Sequence, residues 1–495
     1  MSGIKGKTFL NKKVVPKTID YLIIIIFAVI LSMQSSSNFL CPPTEPNTDA
    51  GVWLYISSGI PLGKMPYLNS FDHKGPLLYI LELVCISISK QYGIWIMDVI
   101  VLSISFILFY KILVLKNRRV TSVIITITAA LSLAEFYGKG NIAELFAMPF
   151  IALSCYIYAC YFYHKTATKI SLLLFGISFA AVLLLRVNLV APWCVFCLAI
   201  LIESICNHSL SNISFYIRWF LLGTGLLLIP FFLWLLINHA FLQFVDQYIV
   251  FNINYSTHDS SQQLPRFIVF ASFTKKSLVF VSLVLSLFPS FKKKDVFSIS
   301  LSILIPFSTI LCCALSGRLY AHYGIPLIPL CVLALSHSLS TFYQDSAFSK
   351  PWKELIISLS MLLVGGVFPL VGYIKEYYIP RTGFTPEFLQ TISYIQEYSD
   401  ENDTITVFGN RDSIYFYSNR QSASIYSYQY PIGNVDEQII RLYFNDLELN
   451  KPKLIIVTQS TEWNGDYEEL YGFISEHEYS RLLMPNDEIE VYLSS

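Results

Sequence analysis

The sequence predicts an all-α polytopic membrane bundle of about eleven transmembrane helices, followed by a small water-soluble α/β domain. Three observations lead there. First, 54% of the 495 residues are hydrophobic and only 14% are charged, against roughly 25% charged in soluble domains, so too few polar side chains exist to cover a water-facing surface. Second, apolar runs long enough to cross a bilayer recur along the first three quarters of the chain. Third, the net charge of zero conceals a split. Residues 375–495 hold 20 Asp/Glu against 8 Lys/Arg, whereas residues 1–374 hold 14 acids against 26 bases. A basic, apolar body (1–374) with an acidic tail (375–495) reads as a membrane domain and an extracytoplasmic one. This composition excludes a soluble multidomain enzyme and a disordered chain. Nucleic acid is excluded as a partner because no Lys/Arg stripe interleaves with aromatic residues.

A lysine-rich start (Lys5, Lys7, Lys12, Lys13, Lys17) precedes the apolar run Tyr21–Met33, and no small-x-small cleavage site follows. That run is expected to be a retained first helix with its N-terminus in the cytoplasm. Ten more spans are expected near 94–115, 120–134, 143–163, 170–185, 189–205, 219–237, 277–291, 297–315, 323–342 and 354–373. An odd number places the tail across the membrane from the N-terminus. The inner segments then carry 17 of the body's 26 Lys/Arg, including Lys116, Arg118, Arg119 and Lys292–Lys294, and the outer segments nine, which is the expected positive-inside bias. The stretch 76–90 is read as an amphipathic segment at the outer interface, since counting it as a span would move Lys116, Arg118 and Arg119 outside.

The tail alternates helix-like and strand-like stretches: Pro386–Tyr398, the strand Thr404–Phe408, Val435–Leu449, the strand Leu454–Thr458, a helix near Tyr467–Ile474 and a strand near Ile489–Leu493. That is an α/β domain of three or more strands. Of ten cysteines, Cys194 and Cys197 form a C-x-x-C inside an apolar span with no nearby histidine, and are read as packing residues rather than zinc or redox ligands.

Nine of the body's fourteen acids fall on the outer side: Glu45, Asp49, Asp72, Glu82, Asp98, Glu135, Glu144, Asp246 and Asp259. Charges near hydrocarbon need partners or functions. Lys74, Lys139, Arg186, Arg266 and Arg318 lie on the same side, so a polar outer cavity is expected.

The richest segment is the first outer loop, 36–93. It runs Pro46-Asn-Thr-Asp49-Ala-Gly-Val-Trp53-Leu-Tyr55, then Gly63-Lys-Met-Pro66-Tyr67, then Phe71-Asp72-His73-Lys74-Gly75-Pro76-Leu77. This order resembles the first outer loop of GT-C membrane glycosyltransferases of the family 39 type, whose relatives include protein O-mannosyltransferases and lipid A aminoarabinose transferases. Further matches follow in order: Asn141-Ile-Ala-Glu144 resembles an N-x-x-E stretch, Arg186-Val-Asn188 an R-x-N element, and Arg318-Leu-Tyr-Ala-His322-Tyr323 an R-x-x-x-H-Y element.

The resemblance implies inverting transfer of a sugar from a polyprenyl-phosphate donor to a cell-envelope glycan. The acceptor would be O-antigen or a related polymer of lipopolysaccharide biosynthesis, at the outer face of the bacterial inner membrane; serotype-modifying glucosyltransferases are one candidate subgroup. Donor lipid, glycan acceptor and membrane lipid are the implied partners. Thr48 precedes Asp49 where some relatives carry paired acids, so no metal ligand or cofactor is assigned and a divalent cation stays open.

Such a reaction needs a base for the acceptor hydroxyl and cations for the departing phosphate. Asp49 is the candidate catalytic base; its other reading is the N-cap of a helix beginning at Ala50. Lys74, Arg318, His322 and Arg186 are the candidate phosphate-binding residues, with interfacial snorkelling the alternative for Lys74 and Arg318. Asp72, His73, Glu144 and Asn188 are read as substrate-binding or structural, and Glu144 could pair with Arg186. The tail has no nucleotide fingerprint and is read as a cover for the cavity. Two rival functions are a transporter or flippase of lipid-linked glycans, which would favour internal repeats that the sequence lacks, and a glycan polymerase or ligase.

Overall fold

The structure, a computed structural model, describes residues 17–164, 167–257, 264–293, 295–315, 317–344, 350–377, 383–429, 432–458, 467–482 and 489–494. Lys5, Lys7, Lys12, Lys13, Asp259 and Lys294 lie outside these residues.

Each expected span is helical. Among the described residues, eight helices of 19–28 residues are long and apolar enough to cross a membrane, from Gly93–Val114 to Pro351–Gly372. The expected span at 277–291 is the second arm of a pair, Arg266–Thr274 and Ser277–Pro289, bent by 80°. The expected spans at 21–33 and 170–185 fall on the shorter apolar helices Thr18–Ser32 and Lys169–Leu185. The stretch 76–90 contains a separate apolar helix, Pro76–Ile88, of 13 residues. The protein is a multi-pass membrane bundle with a small sheet domain at its C-terminal end.

Small residues set the closest helix contacts, as expected where lipid removes the hydrophobic incentive to associate. A Cβ on Gly176 would come within 2.1 Å of the Phe220 carbonyl oxygen, and one on Gly223 within 2.1 Å of that of Leu173. The helices Lys169–Leu185 and Ile213–Ile237 therefore touch backbone to backbone.

At the end of the bundle bearing Arg118 and Arg119, two buried acids are held by several donors each. Asp20 accepts from Nε and Nη2 of Arg119, both at 2.6 Å, and from the Tyr110 hydroxyl at 2.6 Å. Glu354 accepts from Thr121 at 2.6 Å and pairs with Arg118 at 3.2 Å.

The C-terminal domain is built on a five-stranded sheet in the order β2-β1-β3-β5-β4, with β1 Thr404–Phe408, β2 Gln421–Ser422, β3 Leu454–Thr458, β4 Ser480–Leu482 and β5 Ile489–Leu493. Strands β2, β1 and β3 are parallel; β5 runs antiparallel to β3 and β4. Every residue of β3 is buried, which explains why Leu-Ile-Ile-Val reads as a continuous apolar run rather than an alternating one.

This domain sits on the first loop of the bundle. Arg411 forms a fork on Glu45 at 2.7 and 2.8 Å. The Phe71 amide donates to the Ile425 carbonyl at 2.7 Å, and the Ser422 amide donates to the Tyr55 hydroxyl at 2.9 Å. A Cβ on Gly51 would meet the Ser413 nitrogen at 2.9 Å, so only glycine lets the two backbones approach here. Trp53 and Tyr55 are both buried, and Tyr55 packs on Tyr415 with ring centroids 4.8 Å apart. The helix that carries them is covered by the C-terminal domain.

Candidate active site

A cavity of about 970 Å³ opens between the bundle and the C-terminal domain. Its walls bring together Asp49, Asp72, His73, Lys74, Arg186, Asn188 and His322 from distant parts of the sequence, with Asn410 and Tyr428 from the C-terminal domain.

Asp49 belongs to the first turn of the helix Thr48–Gly59. Its reading as an N-cap is corrected by the structure. The helix begins two residues earlier than Ala50, and Asn47 is the cap, its Oδ1 accepting from the Ala50 amide at 2.8 Å. The Asn47 amide group donates to the Gly140 carbonyl at 3.2 Å, which ties the cap to the loop before Glu144. Asp49 is exposed to the cavity and has no hydrogen bond or ion pair among the described residues. Its carboxylate is available to a ligand.

Lys74 lies half-buried in the turn before the helix Pro76–Ile88, with Nζ 3.0 Å from His73 Nε2. Its carbonyl accepts from the Tyr67 hydroxyl at 2.6 Å. Asp72 is fully enclosed: Oδ2 accepts from the Tyr79 hydroxyl at 2.9 Å and Oδ1 from the Tyr428 hydroxyl at 3.1 Å. Burial pushes the Asp72 carboxyl above the usual carboxylate range, against the opposing pull of Lys74. The His73 ring stacks on Tyr255 at 5.4 Å. Burial, reinforced by Lys74, Arg186 and Arg318, holds its pKa well below the ordinary histidine value, so the imidazole is neutral near pH 7.

The second wall carries Arg186 and His322. Arg186 pairs with Glu144 in the first turn of the helix Ala143–His164, as the sequence allowed. It also donates to Asn188 Oδ1 at 3.2 Å and lies over the Tyr323 ring at 4.3 Å. His322 Nε2 stands 3.9 Å from the same Glu144 oxygen. Glu144 thus stands against both Arg186 and His322, and with Nη1 on Glu144 and Nε on Asn188 the guanidinium is held on the cavity wall. Arg318 does not reach water as a snorkelling residue would. It is buried, its guanidinium 4.0 Å above Tyr255 and donating to the Tyr255 and Tyr320 hydroxyls, behind the two tyrosines that line the cavity.

The polar residues that support the turn at 72–74 carry no sequence motif. Gln247 accepts from the Asp72 amide at 3.2 Å and donates to the Tyr67 carbonyl at 2.8 Å. Asn252 donates to the His73 carbonyl at 2.7 Å. Both come from the helical stretch 241–257, where a π-helical turn at Val245–Val250 rotates Gln247 inward. Among the described residues, no three His, Cys, Asp or Glu side chains are grouped to hold a metal ion.

With this arrangement in view, a match in sequence identifies the family. The family model of the competence-induced protein Ccs4 N-terminal domain matches residues 11–398, over three quarters of the chain. The protein belongs to the Ccs4 N-terminal domain family. The match takes in the whole bundle and the helix Pro386–Tyr398, and stops before β1. No curated protein matches the chain in sequence.

The fold of this Ccs4-family chain is shared with membrane proteins of known structure. It is similar to ArnT from Cupriavidus metallidurans bound to undecaprenyl phosphate, with a TM-score of 0.61 and 12% identity over 95% of this chain and 97% of that one. It is also similar to the archaeal oligosaccharyltransferase AglB from Archaeoglobus fulgidus, in complex with an inhibitory peptide and a dolichol-phosphate. There the TM-score is 0.51 and the identity 11%, over 96% of this chain and 74% of that one. At such identities the likeness is one of fold.

Proposed function

We propose that this Ccs4-family protein is a glycosyltransferase. It transfers a sugar, with inversion, from a polyprenyl-phosphate donor to a glycan of the cell envelope at the outer face of the cytoplasmic membrane. The observation that carries this reading is the cavity itself: Asp49, a carboxylate without a partner among the described residues, shares one open chamber with Lys74, Arg186 and His322. That is what acyl-free glycosyl transfer needs, a proton acceptor and an anion grip with space between them for a sugar. The fold likeness to ArnT and AglB supports the same reaction class.

In the proposed step the acceptor hydroxyl oxygen attacks the anomeric carbon while Asp49 takes its proton. The bond from that carbon to the phosphate oxygen breaks, and the phosphate leaves on its polyprenyl chain. Lys74, with Arg186 and His322, holds the phosphate as charge builds on it. Arg318 acts from behind Tyr255. Asn188 orients Arg186, and Asp72 and His73 support Lys74. O-antigen and related polymers are the acceptors we favour.

The test uses purified protein in lipid nanodiscs or vesicles, polyprenyl-phosphate carrying a labelled hexose, and envelope glycan. Label transferred to glycan without movement of donor across the vesicle bilayer is expected. Translocation of intact donor with no transfer would show a flippase instead.

A further inference from the structure

We propose that Tyr428 of the C-terminal domain positions Lys74 for its anionic ligand, acting through Asp72 and His73. The ligand's identity as donor phosphate rests on the function proposed above; the positioning does not.

The path crosses the domain junction. The Tyr428 hydroxyl donates to Asp72 Oδ1 at 3.1 Å. His73 Nδ1 stands 3.5 Å from that same oxygen and has no hydrogen-bond partner among the described residues. Nε2, on the far side of the ring, is 3.0 Å from Lys74 Nζ.

Chemistry fixes the direction of each link. An ammonium has three donors and no acceptor, so Nε2 must accept from Lys74. The ring proton of a neutral imidazole then sits on Nδ1, facing Asp72. Asp72 cannot turn freely, because Tyr79 holds one oxygen from the bundle, and the His73 amide and Tyr428 of the C-terminal domain hold the other. Nor can the ring swing, since it is packed against Phe251 and Tyr255 and its own carbonyl is held by Asn252. The ammonium is therefore seated with one donor committed to His73 and two left for the cavity. Burial keeps the imidazole neutral, which preserves its acceptor nitrogen.

The consequence is that the C-terminal domain completes the cation's seat and is more than a cover. Loss of the Tyr428 hydroxyl leaves Asp72 Oδ1 held only by the adjacent His73 amide, at 2.7 Å, and the alignment of the His73 ring and Lys74 slackens with it. An ammonium that loses its acceptor is less firmly seated, so its amine is more open to a reagent.

The experiment reads Lys74 directly. Full-length protein without donor is treated with an amine-acetylating reagent, and labelling of Lys74 is timed by mass spectrometry. Tyr428→Phe and His73→Phe are each expected to label about threefold to tenfold faster than wild type, the scale of a weakened charge-assisted bond. The double variant should label no faster than His73→Phe alone, because both act on one path. His73→Gln, which keeps an acceptor and a donor, should return near to the wild-type rate. Wild-type labelling in Tyr428→Phe, or additive effects in the double variant, would overturn the proposal. If His73→Phe does not fold, Tyr428→Phe alone decides, since it removes one hydroxyl and keeps the ring. Binding of undecaprenyl phosphate, measured in parallel, should weaken in the same order. If the labelling pattern holds and the wild type binds no undecaprenyl phosphate, the donor reading fails and the positioning stands.

Discussion

The two ends of the bundle hold their charges in different states of completion. At the end bearing Arg118 and Arg119, Asp20 has a guanidinium fork and a tyrosine hydroxyl, and Glu354 has a threonine and an arginine. At the cavity end, Asp49 is exposed with no partner among the described residues, and Lys74 has one neighbouring acceptor. A saturated pair directs its field at its own members and serves the fold. An unsaturated charge, held in position by neighbours that do not neutralise it, is open to a ligand. Glu144 lies between these cases, since it pairs with Arg186 yet leaves that cation on the cavity wall.

The largest effect that sharpens this contrast is expected at Asp49. Because Asn47 and not Asp49 caps the helix, Asp49→Asn leaves the cap untouched and removes only the proton acceptor. Transfer should fall about 10²–10⁴-fold, with unchanged expression and thermal midpoint. Rate and midpoint measured together check this; a large drop in midpoint would make Asp49 structural.

Next in size is Lys74→Ala. It removes a charge-assisted contact to phosphate, worth about tenfold to a hundredfold in donor use. Kinetics against donor concentration should show the loss in KM for the donor more than in folding. Unchanged donor kinetics would return Lys74 to a snorkelling role.

The smallest effect is a pH dependence at the domain junction. Asp412 is wholly buried, and burial lifts its pKa from 3.8 to about 7. Between those values the folded protein keeps a proton that the unfolded chain has released, so Asp412 makes stability fall as pH rises through this window. Asp412→Asn, which can still accept from Ser427, should flatten part of that slope and raise stability above pH 7. Asp72, also raised by burial, leaves a residual slope. Thermal midpoints of the full-length protein from pH 4.5 to 8 test this, and an unaltered slope in the variant would contradict it.

How much of this was legible in the sequence varies with the range of the interaction. The spans were, because each is a local run of apolar residues. So were β1, β3 and β5, while β2 and β4, of two and three residues, carry no periodic signal. The cap was misread by two positions because Asn47, Thr48 and Asp49 are all capping residues, and only geometry chooses among them. Asp49, Lys74, Arg186 and His322 share a cavity as their motifs implied. Gln247 and Tyr428 left no trace, since they meet Asp72 across 175 and 356 residues. Polar supports of this kind are created by tertiary packing and have no local pattern to read.

The central claim, that the unsaturated end of the bundle does the chemistry, is tested most directly by assaying Asp49→Asn beside Asp20→Asn in one preparation. The measurement is sugar transfer per folded molecule from labelled polyprenyl-phosphate donor, with the thermal midpoint of each variant. The account predicts that Asp49→Asn is stable and nearly inactive, while Asp20→Asn unfolds at a lower temperature and transfers sugar at the wild-type rate per folded molecule. Near-normal transfer by Asp49→Asn would contradict it.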